Sequence, residues 1–330
     1  MEQRTKFTST QSWFDFLNSG IQLTPADLIA FRLKCYAEIE ALRGRPLLVY
    51  VSQALGALPG APVSIDVTDI DGFTDLVNSV PADKTAVDVL IHSPGGSPDA
   101  TERIVSILRN RFSEVHFLVP HSAYSAATMM ALSGNSITLH PSATLGPIDP
   151  QLSDPQYGYV PARSIKRGFE KVRDIIKTEG PEALPAYIPL IEKYSLHLLE
   201  LCDDSENLSK RLVTDWLKAY MFNDKANAVE QINTIVDFFS AYDTHLTHSR
   251  PVVFDKIKDF GLTLSVADGE LKDLLWEVYI LINGFFTLTP FVKLFENRYG
   301  ISWGRSYSLS VQPQAPAPQQ NVGDGTPKIG

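Results

Sequence analysis

The chain is poor in cysteine, with only Cys35 and Cys202 among its 330 residues. They lie far apart, without CxxC or Cys/His spacing, which argues against a disulfide framework and against a zinc site. A reducing cytoplasm is the expected compartment. Basic charge is also scarce: 29 Lys plus Arg stand against 38 Asp plus Glu, for a net charge of -9. With no broad basic face to neutralise phosphates, nucleic acid is not an expected partner. GxGxxG and Walker motifs are absent, so the chain carries no nucleotide engine of its own. His92, His116, His121 and His140 lack HExxH or i,i+4 spacing, and neither a metal nor another cofactor is expected.

Long hydrophobic runs are missing too. The first twenty residues carry Glu2, Arg4, Lys6 and Asp15 where a signal peptide would be continuously apolar. The most apolar stretch, Leu274 to Phe291, is interrupted by Glu277, Asn283, Gly284 and Pro290. It falls short of the roughly 20 apolar residues of a membrane span and reads as a buried helix; proximity to a membrane without a transmembrane segment stays open. What remains is ordinary folded composition, 44% hydrophobic and 20% charged, which suits one large α/β domain with a helical extension or two modest domains.

Thr24, Pro25 and Asp27 form a helix start, with a hydroxyl cap, a proline where no donor is lost and an acid near the positive end of the dipole. The helix runs to about Leu42 and stops near Gly44. Pro46–Val51 (PLLVYV) is a short apolar run between turn residues, the mark of a parallel strand covered on both faces. Then the pattern alternates: helix Phe73–Val80, strand Ala86–Ile91, helix Asp99–Phe112, strand Val115–Val119, helix Ser125–Leu132, strand Ser136–His140. Such alternation predicts right-handed βαβ crossovers on a mostly parallel sheet. Beyond Pro161 strand signals fade, and helices are expected over Ser164–Lys177, Tyr187–Leu201 and Leu208–Phe222. The expected organisation is a helical segment over 1–45, an α/β core over 46–160, a helical part completing the fold over 161–311, and a Pro, Gln and Gly rich disordered tail over 312–330.

Two segments in the alternating part bear chemistry. HSPGGS, His92–Ser97, follows a strand and precedes a helix, where open α/β sheets bind ligands. Gly95 and Gly96 let the backbone bring N–H groups close to a substrate oxygen; taken alone, the segment also reads as a tight turn. HSAYSAATMMAL, His121–Leu132, runs from a strand end into a helix. Ser125 stands at the helix entry, where free N–H donors and the dipole favour a developing negative charge. By itself it also reads as a plain N-cap.

The order HSPGGS, helix, strand, AYSAATMMAL, strand, then ATLGPIDPQ at Ala143–Gln151 resembles the Clp/crotonase superfamily. LGPIDPQ is most similar to the serine dehydrogenase proteinase family, relatives of signal peptide peptidase A. The resemblance covers about residues 45–155, with a looser echo in THSRP at Thr247–Pro251 and GLTL at Gly261–Leu264. It implies a Clp/crotonase-type superhelix of ββα units with a mostly helical C-terminal half, peptide hydrolysis through an acyl-enzyme, and homo-oligomers acting on peptides or proteins. On it, Ser125 matches the nucleophile, and Gly96, beside Gly95, matches the oxyanion donors together with Ala126. Ala127 stands where many relatives have glycine.

A serine hydroxyl needs a base at neutral pH. Alignment puts Ile148 near the histidine of Clp protease, so a Clp-type triad is not expected, and His140 lies too early. The signal peptide peptidase A template implies a lysine, with Lys166 first and Lys171 and Lys177 as competitors; a solvated helix lysine is the other reading of Lys166. His248 in THSRP is a further candidate. Asp149 reads as a turn residue between two prolines or as an orienting group. Two other readings keep the fold: a crotonase-like acyl-CoA enzyme or binder, and a non-catalytic scaffold.

Overall fold

The computed structural model describes residues 5–308 except 155, 193–194 and 226–227. The N-terminal part contributes α1 (Thr10–Asn18), α2 (Pro25–Arg43) and β1 (Leu47–Ser52). α2 begins on the expected capping box, with the Thr24 hydroxyl accepting from Asp27 N–H and the Asp27 carboxylate accepting from Thr24 N–H. It ends at Gly44, which adopts φ 68 in the left-handed region. All six residues of β1 are buried, as its unbroken apolar run requires of a strand covered on both faces.

The alternation follows as read: α3 (Ile70–Ser79), β2 (Ala86–His92), α4 (Pro98–Arg111), β3 (Glu114–Val119), β4 (Ser122–Ala123), α5 (Ala126–Leu132) and β5 (Ser136–Leu139). Then come β6 (Thr144–Leu145), the hairpin β7 (Gln151–Asp154) and β8 (Gly158–Pro161), and the helices α6 (Ala162–Glu179), α7 (Leu184–Ile191), α8 (Leu196–Trp216), α9 (Val229–Ser240), α10 (Tyr242–His245) and α11 (Phe254–Ile257). The chain closes with β9 (Leu264–Val266), α12 (Gly269–Leu288), β10 (Phe291–Glu296) and β11 (Ser302–Ser306).

The main sheet has the order β11-β10-β1-β2-β3-β5-β9. β1, β2, β3, β5 and β9 run parallel, while β10 pairs antiparallel with β1 and β11 antiparallel with β10. Pleating splits the apolar residues between two layers. Leu48, Tyr50, Val89 and Phe117 pack with α3, α4, α5, α8 and α9; Leu47, Val49, Leu90 and Leu118 pack with α1, α2 and α12.

Two features differ from the sequence reading. β10 and β11 place two further strands beside β1 in the part read as helical. FVKLFE hides its strand character because Lys293 and Glu296 interrupt the apolar pattern; both are buried, with Lys293 bonded to Asp69 and Glu296 to Arg32. The helix boundary also moves: α8 starts where the Ser195 hydroxyl accepts from Leu198 N–H and continues through Leu201–Leu208, merging two expected helices. The tail expected over 312–330 lies outside the described residues. Among these residues no helix is long and apolar enough to cross a membrane; the middle of α12 is mostly buried and its ends exposed, with the Glu277 carboxylate accepting from Phe7 N–H at 2.8 Å.

Candidate active site

A small second ladder lies beyond the ends of the parallel strands. Ser93 bridges Ala123, Ala123 pairs with Leu145 in β6, and Leu145 pairs antiparallel with Val252. The rungs are tied by Ser93 N–H to Ser122 C=O at 3.2 Å, Tyr124 N–H to Ser93 C=O at 3.1 Å, and Leu145 N–H to Val252 C=O at 3.0 Å. HSPGGS, AYSAA, LGPIDPQ and THSRP, scattered along the chain, therefore emerge side by side at one end of the sheet.

Equal steps along the parallel rungs from Ser93 and Ala123 lead to Gly95 and Ser125. The two are in close contact: a Cβ on Gly95 would stand 2.6 Å from the Ser125 Cβ, 2.9 Å from the Ala126 nitrogen and 2.5 Å from the Tyr124 carbonyl oxygen. Gly95 has φ 96, so only glycine combines this conformation with this approach. Ser125 itself is strained, with φ 52 and ψ -123 at a sharp strand-to-helix turn. The turn leaves its half-buried side chain out of any capping bond. Its hydroxyl makes no hydrogen bond to another described residue.

Beyond Ser93, the Gly95–Ser97 part of HSPGGS is held on the edge facing Ile65. Ile65 N–H donates to Gly95 C=O at 2.7 Å, and Ser97 N–H donates to Ile65 C=O at 2.8 Å. Successive peptide groups of an extended segment point to opposite edges, so Gly96 N–H and C=O face away from Ile65. Neither the Gly96 nor the Ala126 N–H donates to a described protein acceptor. The Gly96 face toward Ile65 is closed, since a Cβ there would meet the Ile65 oxygen at 2.2 Å. Ala127 is fully buried in the apolar core, so its methyl packs there.

On the antiparallel rung, equal steps from Leu145 and Val252 lead to Asp149 and His248. The Nδ1–H of His248 donates to Asp149 Oδ1 at 2.9 Å. Asp149 is 3% exposed at its side chain and His248 22%, and Asp149 Oδ2 is buried without a hydrogen-bond partner. Because a carboxylate only accepts, the proton sits on Nδ1, and a neutral imidazole then presents Nε2 as acceptor. The loop carrying Asp149 is bound to the serine turn: Gly146 N–H donates to Thr128 Oγ1 at 3.0 Å, Thr128 Oγ1 donates to Ala123 C=O at 2.6 Å, and Gly146 lies against the Tyr124 ring.

Lys166 is placed elsewhere in chemical terms. Its ammonium bonds Asp203 at 2.5 Å and Glu206 at 2.8 Å. Partial burial, which disfavours the charge, is outweighed by these two carboxylates, and the lysine pKa is raised above its ordinary value. A lysine base must be neutral, whereas Lys166 stands here as an ion-pairing residue of α6. Lys171 and Lys177 are exposed on the same helix. His140 stacks on Trp276 with centroids 5.2 Å apart, on the α12 side of the sheet.

His121 stacks on Tyr279 with centroids 4.5 Å apart, and His92 packs edge-on to both. Among the described residues no group of three or more His, Cys, Asp or Glu is arranged to hold a metal. Burial pushes the His92 imidazole down to about 4 from an ordinary 6.5. The unfolded chain therefore binds this proton first as pH falls. Stability supplied by neutral His92 is full above about pH 6.5 and is lost toward pH 4, by about 2 kcal/mol at pH 5. Urea unfolding at pH 7 and pH 5 should show this loss. His92→Asn, which keeps a donor for Ser122 C=O, should reduce it, with a residual slope from His116, His121 and His140, all lowered by burial.

Comparison with known proteins matches this sequence to a family. The model of the ClpP-like SDH-type serine proteinases matches residues 12–285. Two proteins of Methanocaldococcus jannaschii are similar in sequence. Uncharacterized protein MJ0137 is 27% identical over 286 residues, 84% of this chain and 90% of its own length. Uncharacterized protein MJ1495 is 28% identical over 241 residues, 71% of each. Similar solved structures include a membrane-bound stomatin-specific protease (17% identity, TM-score 0.39, 63% of this chain and 76% of that one). Another is the ClpP protease catalytic domain from Plasmodium falciparum (14% identity, TM-score 0.38, 76% of this chain and 96% of that one). The chain belongs to the ClpP-like SDH-type serine proteinase family.

Proposed function

We propose that this chain is a serine peptidase in which Ser125, His248 and Asp149 act together. The observation that carries the reading is the Asp149–His248 hydrogen bond of 2.9 Å, brought to the serine end of the sheet by the Ala123–Leu145–Val252 ladder. A peptide lies extended along the open edge of Gly95–Ser97, with Gly96 offering its N–H and C=O. Oγ of Ser125 attacks the scissile carbonyl carbon while Nε2 of His248 accepts the hydroxyl proton, and the Asp149 carboxylate steadies the resulting imidazolium. The N–H groups of Gly96 and Ala126 hold the oxyanion, in general the largest electrostatic contribution to acyl transfer. His248 returns the proton to the leaving amine; water then attacks the acyl carbon as His248 takes its proton, and the Oγ–acyl bond of Ser125 breaks as His248 gives that proton to Oγ, releasing the acid product. Catalytic hydrogen bonds of this kind commonly tighten only when substrate binds.

A fluorophosphonate probe tests the reading. Ser125 of the intact protein should be labelled, and Ser125→Ala should lose labelling with its fold unchanged by circular dichroism. An unlabelled, folded wild type overturns it. The partner class is an extended peptide or protein segment. Homo-oligomerisation is proposed on the exposed Tyr157, Tyr159, Leu184, Ile188 and Leu201, and light scattering in solution measures it.

A further inference from the structure

Ile65 fixes the edge of HSPGGS, and a buried cation fixes Ile65. Lys293, on β10, is fully buried at 0% exposure. Its ammonium donates to Ser64 C=O at 2.6 Å and to both Asp69 oxygens at 2.8 Å, and lies 3.3 Å from Asp66 Oδ2. Ser64 and Asp66 are the neighbours of Ile65, so one charge grips the strap on both sides of the residue that pairs with Gly95 and Ser97. Asp69, itself fully buried, also accepts from the Tyr50 hydroxyl at 2.8 Å and from Asp66 N–H at 3.2 Å, with Arg305 Nε 3.9 Å away.

Resting on the peptidase reading above, we propose that Lys293 is a positioning residue for the oxyanion donor Gly96, acting through the Ser64–Asp66 strap. The physical ground is twofold. A buried ion pair is a poor source of stability, because desolvation consumes most of the Coulomb gain. This one makes a directed bond to a backbone carbonyl adjoining the Gly95–Ser97 bridge, so it sets geometry. Displacement of a catalytic group by about 1 Å costs on the order of 10²-fold in rate.

The test uses the full chain in two variants. Lys293→Met with Asp69→Asn removes both charges, so no ion is left buried alone; Tyr50→Phe keeps both charges and removes the hydroxyl, with its bonds to Asp69 and Ser93. For the double variant the saturating fluorophosphonate labelling rate of Ser125 should fall about 10²-fold. Its half-saturating probe concentration and the pH profile of labelling, which report binding and the base, should stay within about threefold. Amide hydrogen exchange over Ser93–Ser97 should rise at the same time. Tyr50→Phe should lower the rate by about fivefold, a partial version of the same displacement. A folded double variant that labels at the wild-type rate overturns the positioning role and leaves the peptidase reading standing. If that variant does not fold, Tyr50→Phe decides, and wild-type labelling overturns the role. A folded wild type that does not label overturns both.

Discussion

His248→Ala is expected to lower labelling and peptide hydrolysis at Ser125 by about 10⁶-fold, while Lys166→Met leaves both within about threefold. The contrast follows from what each nitrogen touches. Lys166 lies between Asp203 and Glu206, which keep it protonated and unable to take a proton from a hydroxyl. His248 has its Nδ1–H on a buried carboxylate, which leaves Nε2 free to accept. Asp149→Asn sharpens the result because it nearly preserves volume. An amide can turn its NH₂ toward Nδ1, which then becomes the acceptor and moves the ring proton to Nε2, the wrong tautomer for a base. A loss of about 10⁴-fold is expected from that change. Labelling rates for His248→Ala, Asp149→Asn and Lys166→Met measured side by side decide between the two bases. A large loss in Lys166→Met with a near-normal His248→Ala would restore the Ser-Lys arrangement.

Gly96→Ala is expected to cost about 2–4 kcal/mol of stability and, in the fraction that folds, at least about 10²-fold in labelling rate. The added methyl would stand 2.2 Å from the Ile65 oxygen and 2.4 Å from its nitrogen. These are backbone atoms held by two hydrogen bonds, so either the strap or the glycine must move. If the strap yields, the bridge to Gly95 and Ser97 weakens; if the glycine yields, its N–H leaves the Ser125 turn. Gly158→Ala is the control, for Gly158 also has a positive φ, 76, but meets nothing within 4 Å. It should cost about 1 kcal/mol of backbone strain and leave labelling unchanged. Thermal unfolding and labelling of the two variants together separate strain from site geometry; equal losses in both would count against a special role for Gly96.

The sequence by itself determined whatever depends on neighbours along the chain. Thr24, Asp27 and Gly44 bound α2 through local hydrogen bonds and a left-handed turn. The apolar runs of β1, β2, β3 and β5 announce strands covered on both faces, and the glycines of HSPGGS and the small residues after Ser125 mark tight turns. The family resemblance rests on these same segments, and the family match bears out the recognition and the fold. Tertiary structure alone decided the groups that meet across long separations. Asp149 and His248 come together only because Leu145 pairs with Val252, a register invisible in either segment. The ion pairs of Lys166 arise because α8 supplies Asp203 and Glu206, which nothing near Lys166 in the sequence announces. Lys293 and Glu296 made β10 look unlike a strand, since a charge breaks the apolar pattern unless its buried partner is known. Local conformation follows from short-range sterics and hydrogen bonding, but the protonation state and reach of a side chain depend on what the rest of the fold places beside it.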